Sequence, residues 1–248
     1  IARLALAAAT ARARRGRVAY VRPIPGIASL EEAVGRATEL GRPVIFVMGG
    51  SDIRDIQTHA ALSVLSHVAR LAARLRTPFL TLVKVANVFP FAEEVLREAY
   101  KAEGLLDQFS ADQQVRFLSQ DSIVYAMSAG RTIEETRAGC AIFYGTFDFT
   151  SLLMAEPGAQ MGIIQIAGDP GLAQIPFFVC TCDYTIIGEE YFAAGAYLSR
   201  DPTMRGTLVS QDLIKVLLAG LVLLGTVCAQ FAHPWAQAVV EFFMRYKR

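Results

Sequence analysis

The chain has 248 residues, and its 24 basic and 23 acidic side chains leave a formal net charge of +1, which removes the electrostatic case for nucleic-acid binding. At 53% hydrophobic residues and a mean hydropathy of +0.36 it is too apolar for an average water-exposed domain and too polar for a chain that crosses a bilayer many times. The length suits one sizeable core plus a membrane segment, or two small domains.

Residues 1–19 read as the last turns of a helix, the end of an N-terminal membrane helix, followed by a basic linker carrying Arg12, Arg14, Arg15 and Arg17. Pro23 and Pro25 stiffen the stretch that follows. Ser29, with Glu32 three positions on, forms a capping box. Leu30, Val34, Ala37 and Leu40 make a helical stripe that Gly41 ends and Pro43 keeps from resuming. Val44 to Met48 is a continuous apolar run, the pattern of a strand buried on both faces, and Gly49-Gly50 turns the chain after it.

A helix is expected from about Asp55 to Leu75, with Ile56, Ala60, Val64, Val68 and Leu71 on one face. Pro78 stops it, and Phe79 to Val83 begins a second strand. Glu93 to Gly104 is amphipathic, Val115 to Ser119 is a short strand, and Ser122 to Arg131 is helical. Cys140 to Tyr144 is a strand, Ser151 to Glu156 a helix that Pro157 breaks, and Met161 to Gly168 a strand. Phe177 to Thr181 reads as the last core strand and Glu189 to Leu198 as a short helix. Strands and helices alternating at this spacing predict an α/β fold with a mostly parallel sheet covered by helices. No linker divides residues 20–206, so they are taken as one domain, with residues 207–248 as a separate C-terminal part.

That C-terminal part is expected to hold a transmembrane helix from Leu213 to Ala232, a charge-poor run of bilayer length with Lys215 at one end and Trp235 beyond the other. It implies membrane lipid as a partner and a cell-membrane location, and the arginines near the start put the α/β domain on the cytoplasmic side.

Residues for chemistry are sparse. Gly49, Gly50, Ser51 and Asp52 lie between a strand and a helix, where a parallel sheet opens its ligand crevice. Gly145 with Thr146, and Gly168 with Asp169, stand at two further strand ends, so the three loops are expected to line one crevice. Asp183 is a carboxylate inside an apolar run, with a structural use as an N–H acceptor or a functional use in a site. Glu189 and Glu190 suit a first helical turn. Of four cysteines only Cys180 and Cys182 are close, and a lone CxC is a weak metal signal. His59 and His67 stand more than two turns apart on one helix, too far to share an ion. No cofactor fingerprint, metal motif or nucleophile elbow occurs.

The stretches IPGIASLEEAVGRATELGRPVIF, QIAG and QIPFFVCTCDYTIIGEEYFAAGAYLSRDP, with the apolar run that follows, resemble an uncharacterised bacterial and archaeal membrane-protein family catalogued as a domain of unknown function. The resemblance spans about residues 20 to 230 and implies an N-terminal membrane helix, an α/β domain and a C-terminal membrane helix, with no established reaction or ligand. Where that family has a small and an acidic residue before Ser-Leu-Leu, this chain has Asp148-Phe149-Thr150-Ser151.

Two functions remain open on these grounds. One is a membrane-anchored, non-catalytic subunit that assembles with itself or with other membrane proteins, using aromatic residues such as Phe177, Phe178, Tyr184, Tyr191, Phe192 and Tyr197 as contact area. The alternative is a small-molecule or nucleotide-binding sensor or enzyme that uses the strand-end crevice.

Overall fold

The computed structural model describes residues 25–199 and 214–227. The chain divides into two compact units, Val21–Arg200 and a second made of Ile1–Tyr20 with Asp201–Arg248.

In the first unit, α1 (Pro25–Glu39) leads into β1 (Val44–Met48), then α2 (Ile56–Leu75), β2 (Phe79–Val83) and α3 (Phe89–Ala102). A 3₁₀ turn at Leu106–Gln108 and the one-turn α4 (Ala111–Gln114) precede β3 (Val115–Phe117). The second half runs α5 (Ser122–Glu135), β4 (Cys140–Tyr144), α6 (Ser151–Gln160), β5 (Ile164–Asp169), α7 (Ile175–Thr181), β6 (Tyr184–Ile187) and α8 (Glu189–Ser199). The six strands lie in the order β3-β2-β1-β4-β5-β6, and every neighbouring pair is parallel.

Alternation along the strands divides the core into two layers. Val44, Phe46 and Met48 of β1 face one way, with Cys140, Ile142 and Tyr144 of β4, and are covered by α1, α2, α3 and α8. Ile45 and Val47, with Ala141 and Phe143, face α5, α6 and α7. This two-sided cover explains why β1 and β4 read as unbroken apolar runs and β2 as one interrupted only by Thr81: all of their residues are buried. Each large side chain shut away in this manner, Phe46 or Leu82 for example, contributes roughly 1.5–3 kcal/mol.

Several local expectations need correction. The run Ile175–Thr181 is a helix, α7, and the sixth strand is Tyr184–Ile187. A short apolar run fits either state. Pro176 in the first helical turn, where a missing N–H costs nothing, tips it to helix. Phe178 alone of that helix is buried. Pro157 does not end α6, which continues to Gln160. Gly130 of α5 stands opposite, and a Cβ there would lie 3.0 Å from both the Leu153 carbonyl and the Pro157 ring. The carbonyl that proline deprives of its partner is thus accommodated by a glycine next door. Ser29 is inside α1, its hydroxyl donating to the Gly26 carbonyl at 3.0 Å, so it is not the cap.

The membrane reading is also corrected. Among the described residues no helix is long and apolar enough to cross a membrane. Within the expected span, residues 214–227 are described and helical. Residue 213, residues 228–232 and the membrane helix expected within residues 1–19 lie outside the described residues. The C-terminal transmembrane helix, lipid as a partner and the cell-membrane location therefore lose their support, and the anchored assembly subunit falls with them. Its aromatic argument weakens as well, because Phe178 and Tyr191 are core residues, Tyr191 stacked on Tyr144 with ring centroids 4.5 Å apart.

Candidate functional site

The strand order reverses direction between β1 and β4, and in an open parallel sheet the loops beyond the C-terminal ends of such strands form the ligand crevice. Eight of the nine residues singled out by sequence stand on this edge: Gly49 to Asp52 after β1, Gly145 and Thr146 after β4, and Gly168 and Asp169 as the last residues of β5. Asp183 does not join them. It precedes β6, at the opposite edge, where its Oδ2 accepts the Gln165 amide at 2.8 Å. There it borders a recess of about 410 Å³ whose lining includes Arg36, Ile163, Cys180 and Cys182.

The glycines at the reversal are needed for backbone packing. The Gly49 amide donates to Tyr144 O at 3.2 Å and the Gly50 amide to Thr146 O at 2.8 Å, so the β1 and β4 loops stay zipped together past the strands. A Cβ on Gly49 would stand 2.3 Å from the Thr146 nitrogen, and Gly145, with φ 145°, lies against Gly49 in return. Gly168 lies under the Tyr144 ring, where a Cβ would meet carbon at 2.4 Å. Asp169 is 2% exposed and accepts the amides of Phe147 at 3.1 Å and Gly171 at 2.7 Å. Burial raises its carboxyl above the ordinary value, and these two amides oppose the rise.

Three polar side chains that sequence reading did not assemble meet over these loops. Lys84, just past β2, crosses the end of β1 and donates to Ser122 Oγ at 2.6 Å and Asp148 Oδ2 at 2.9 Å. The Ser122 hydroxyl donates to the same Oδ2 at 2.5 Å. Asp148 Oδ1 accepts the Thr150 amide at 3.2 Å and its hydroxyl at 2.6 Å. Lys84 and Asp148 side chains are 14% and 36% exposed, so the pair is sheltered but reachable. Burial pushes the Asp148 carboxyl up, but hydrogen bonds from Ser122, Thr150 and Lys84 outweigh it and hold the group well below the usual carboxylate range.

Local structure places each member. Asp121 caps α5 by accepting the amides of Ile123 and Val124, which fixes Ser122 at the first helical position. One turn on, the buried Tyr125 hydroxyl donates to Met48 O at 2.7 Å and Leu82 O at 3.1 Å, tying α5 to the ends of β1 and β2. Gly50 leaves room for the lysine to pass, since a Cβ there would lie 3.1 Å from Nζ. Beside the cluster, Asp52 accepts from Asn87 Nδ2 at 2.6 Å and from the Arg54 amide at 3.0 Å, and these bonds lower its carboxyl. The Ser51 hydroxyl has no protein partner among the described residues, and the enclosed Thr146 Oγ1 has none either.

A covalent serine mechanism is not built here. Lys84 is engaged as an ammonium in an ion pair, and an ammonium has no lone pair with which to take the Ser122 proton. Among the described residues no group of three or more His, Cys, Asp or Glu side chains converges on a metal position. Burial pushes the thiols of Cys140 and Cys182 up to about 12 each, which makes both poor nucleophiles at neutral pH. The signal that was available for Lys84 is its position as a single charge inside the apolar run Phe79 to Ala86.

No curated protein and no solved structure matches the chain. A family described as a domain of unknown function, DUF6754, matches residues 1–240. The expected resemblance is corrected in its membrane part, for which the described residues hold no spanning helix. With all but its last few residues inside that match, the chain belongs to the DUF6754 family.

Proposed function

We propose that the Val21–Arg200 unit binds a small polar molecule in the strand-end crevice beside the β1–β4 reversal. The observation that carries this reading is the Lys84–Ser122–Asp148 triangle. Three side chains, from the loop after β2, the first turn of α5 and the loop after β4, converge there on the edge where parallel sheets take their ligands. A charged pair this sheltered is a costly way to join elements that an apolar contact would join as well. The loops around it, Gly50 to Asp52 and Thr146, supply further polar groups. Gly49, Gly145, Gly168 and Asp169 serve the reading as the frame that fixes those loops.

The test is to purify the chain, release whatever co-purifies and identify it by mass spectrometry. Pools of metabolites would then be screened by NMR for perturbed resonances at Gly50, Ser51, Lys84 and Asp148. Perturbation confined to those positions, and lost in Lys84→Met, is the expected result. Absence of any response at these positions across sugars, amino acids, carboxylic acids and nucleotides would overturn the reading.

A further inference from the structure

We propose that the ligand of this crevice is anionic, that Lys84 is its counter-ion, and that Asp148 is an internal anion holding the lysine in place for it. This rests on the reading of the crevice as a ligand site.

The argument is an accounting of donors and acceptors. The carboxylate acceptors at the site are committed. Asp52 uses one oxygen on the Arg54 amide and the other on Asn87. Asp148 uses Oδ1 on Thr150 and Oδ2 on Lys84 and Ser122. The donors are not all committed. An ammonium has three N–H groups, and those of Lys84 have two partners. Ser51 makes no hydrogen bond through either its hydroxyl or its amide among the described residues. The Thr146 hydroxyl oxygen is enclosed and without a partner, on the residue whose carbonyl accepts the Gly50 amide. The spare ammonium N–H and the free Ser51 amide can only donate, and the two hydroxyls can donate as well, so the set around this sheltered cation is complementary to a group that only accepts: a phosphate ester or a carboxylate.

Position supports the same chemistry. Lys84 runs across Gly50, where no side chain covers it, so one flank of its ammonium is bounded by a glycine rather than by a packed residue. Asp148 already satisfies the electrostatic need of the lysine, so an arriving oxyanion competes with it for the same cation. The internal carboxylate therefore keeps the empty site ordered and also limits how tightly an anion binds.

The experiment titrates the full chain with inorganic phosphate and, separately, with acetate at constant ionic strength, following the Lys84 Cε and Nζ resonances and the Gly50 and Ser51 amides. Saturable shifts at these positions are expected, and the tighter of the two probes identifies the group as phosphoryl or carboxylate. Asp148→Asn keeps the Oδ1 acceptor for Thr150 but removes the competing charge, and is expected to tighten binding about tenfold. Lys84→Met is expected to abolish it and Lys84→Arg to retain part. If Lys84→Met does not fold, the wild-type titration and Asp148→Asn still decide. Binding that weakens in Asp148→Asn, or no shift with either anion, overturns the proposal. A neutral sugar that perturbs the same amides while both anions fail would leave the crevice reading standing and the anionic one refuted.

Discussion

Lys84 reaches Asp148 across a position where any other residue would place a side chain, and Gly50 and Gly49 divide two roles between neighbours. Gly50 has no positive φ, so alanine fits its backbone and gains about 0.4–1 kcal/mol by restricting the unfolded chain. The atoms nearest the new methyl are those of the flexible end of Lys84, at 3.1–3.5 Å. Gly50→Ala is therefore expected to leave the urea midpoint nearly unchanged while displacing the lysine and weakening any ligand response at Ser51. Gly49→Ala meets main chain at 2.3–2.7 Å and is expected to cost roughly 3 kcal/mol in the same measurement. Asp148 adds a dependence on acid. Its folded carboxyl lies below the unfolded value of about 3.9, so its stabilisation is complete above about pH 4 and is lost as the pH falls through the folded value. Unfolding curves taken at successive pH values below 4 should fall less steeply for Asp148→Asn than for the wild type. Asp169 acts with opposite sign, because burial raises its carboxyl, so its share of the stability is lost as the pH climbs past 4 toward the folded value.

Helix α5 is the element that turns a sheet edge into a site. Its cap at Asp121 holds Ser122, and Tyr125 fastens the first turn to two strand ends. Tyr125→Phe keeps the ring in the core and removes the donor those two carbonyls share. The expected cost is about 1–2 kcal/mol by chemical denaturation, with Ser122 and Lys84 resonances broadened or shifted. Elements were unequally legible in the sequence. Helix α2 was readable because Ile56, Ala60, Val64, Val68 and Leu71 repeat at helical spacing over about four turns. Helix α7 was not, because seven residues, apolar up to Thr181, carry no period long enough to tell a helix from a strand. Helix α6 runs on through Pro157, and the ring and the Leu153 carbonyl lie against Gly130 of another element, a neighbour that the local sequence does not name.

For the unit as a whole, the parallel sheet was legible because burial on two faces writes itself into continuous apolar runs, as in Val44–Met48 and Cys140–Tyr144. The site was legible only as loops. Lys84 and Asp148 are 64 positions apart, and nothing local at either one marks the other. The membrane span was read from a charge-poor run of bilayer length flanked by Lys215 and Trp235, and no helix among the described residues has the length and apolar character to support it. Strand order makes a prediction for hydrogen exchange. Amides of β1 and β4, each paired on both sides and wholly buried, should exchange slowest, and those of β3 and β6, the two edge strands with one buried residue each, fastest among the strands.

The pairing of β1 with β4 also has a kinetic meaning. Val44 is bonded beside Phe79 on one flank and Cys140 on the other. The first closure spans roughly 35 residues and the second roughly 96, so the second carries about 0.9 kcal/mol more loop entropy. A chain that has zipped only its first half has Lys84 and Gly50 together but no Asp148 near them. The lysine's partner thus arrives with the longest-range closure, and the ion pair reports that the two halves of the sheet have met. A ligand that needs both halves stabilises finished chains alone, leaving half-formed ones as exposed to proteolysis as before.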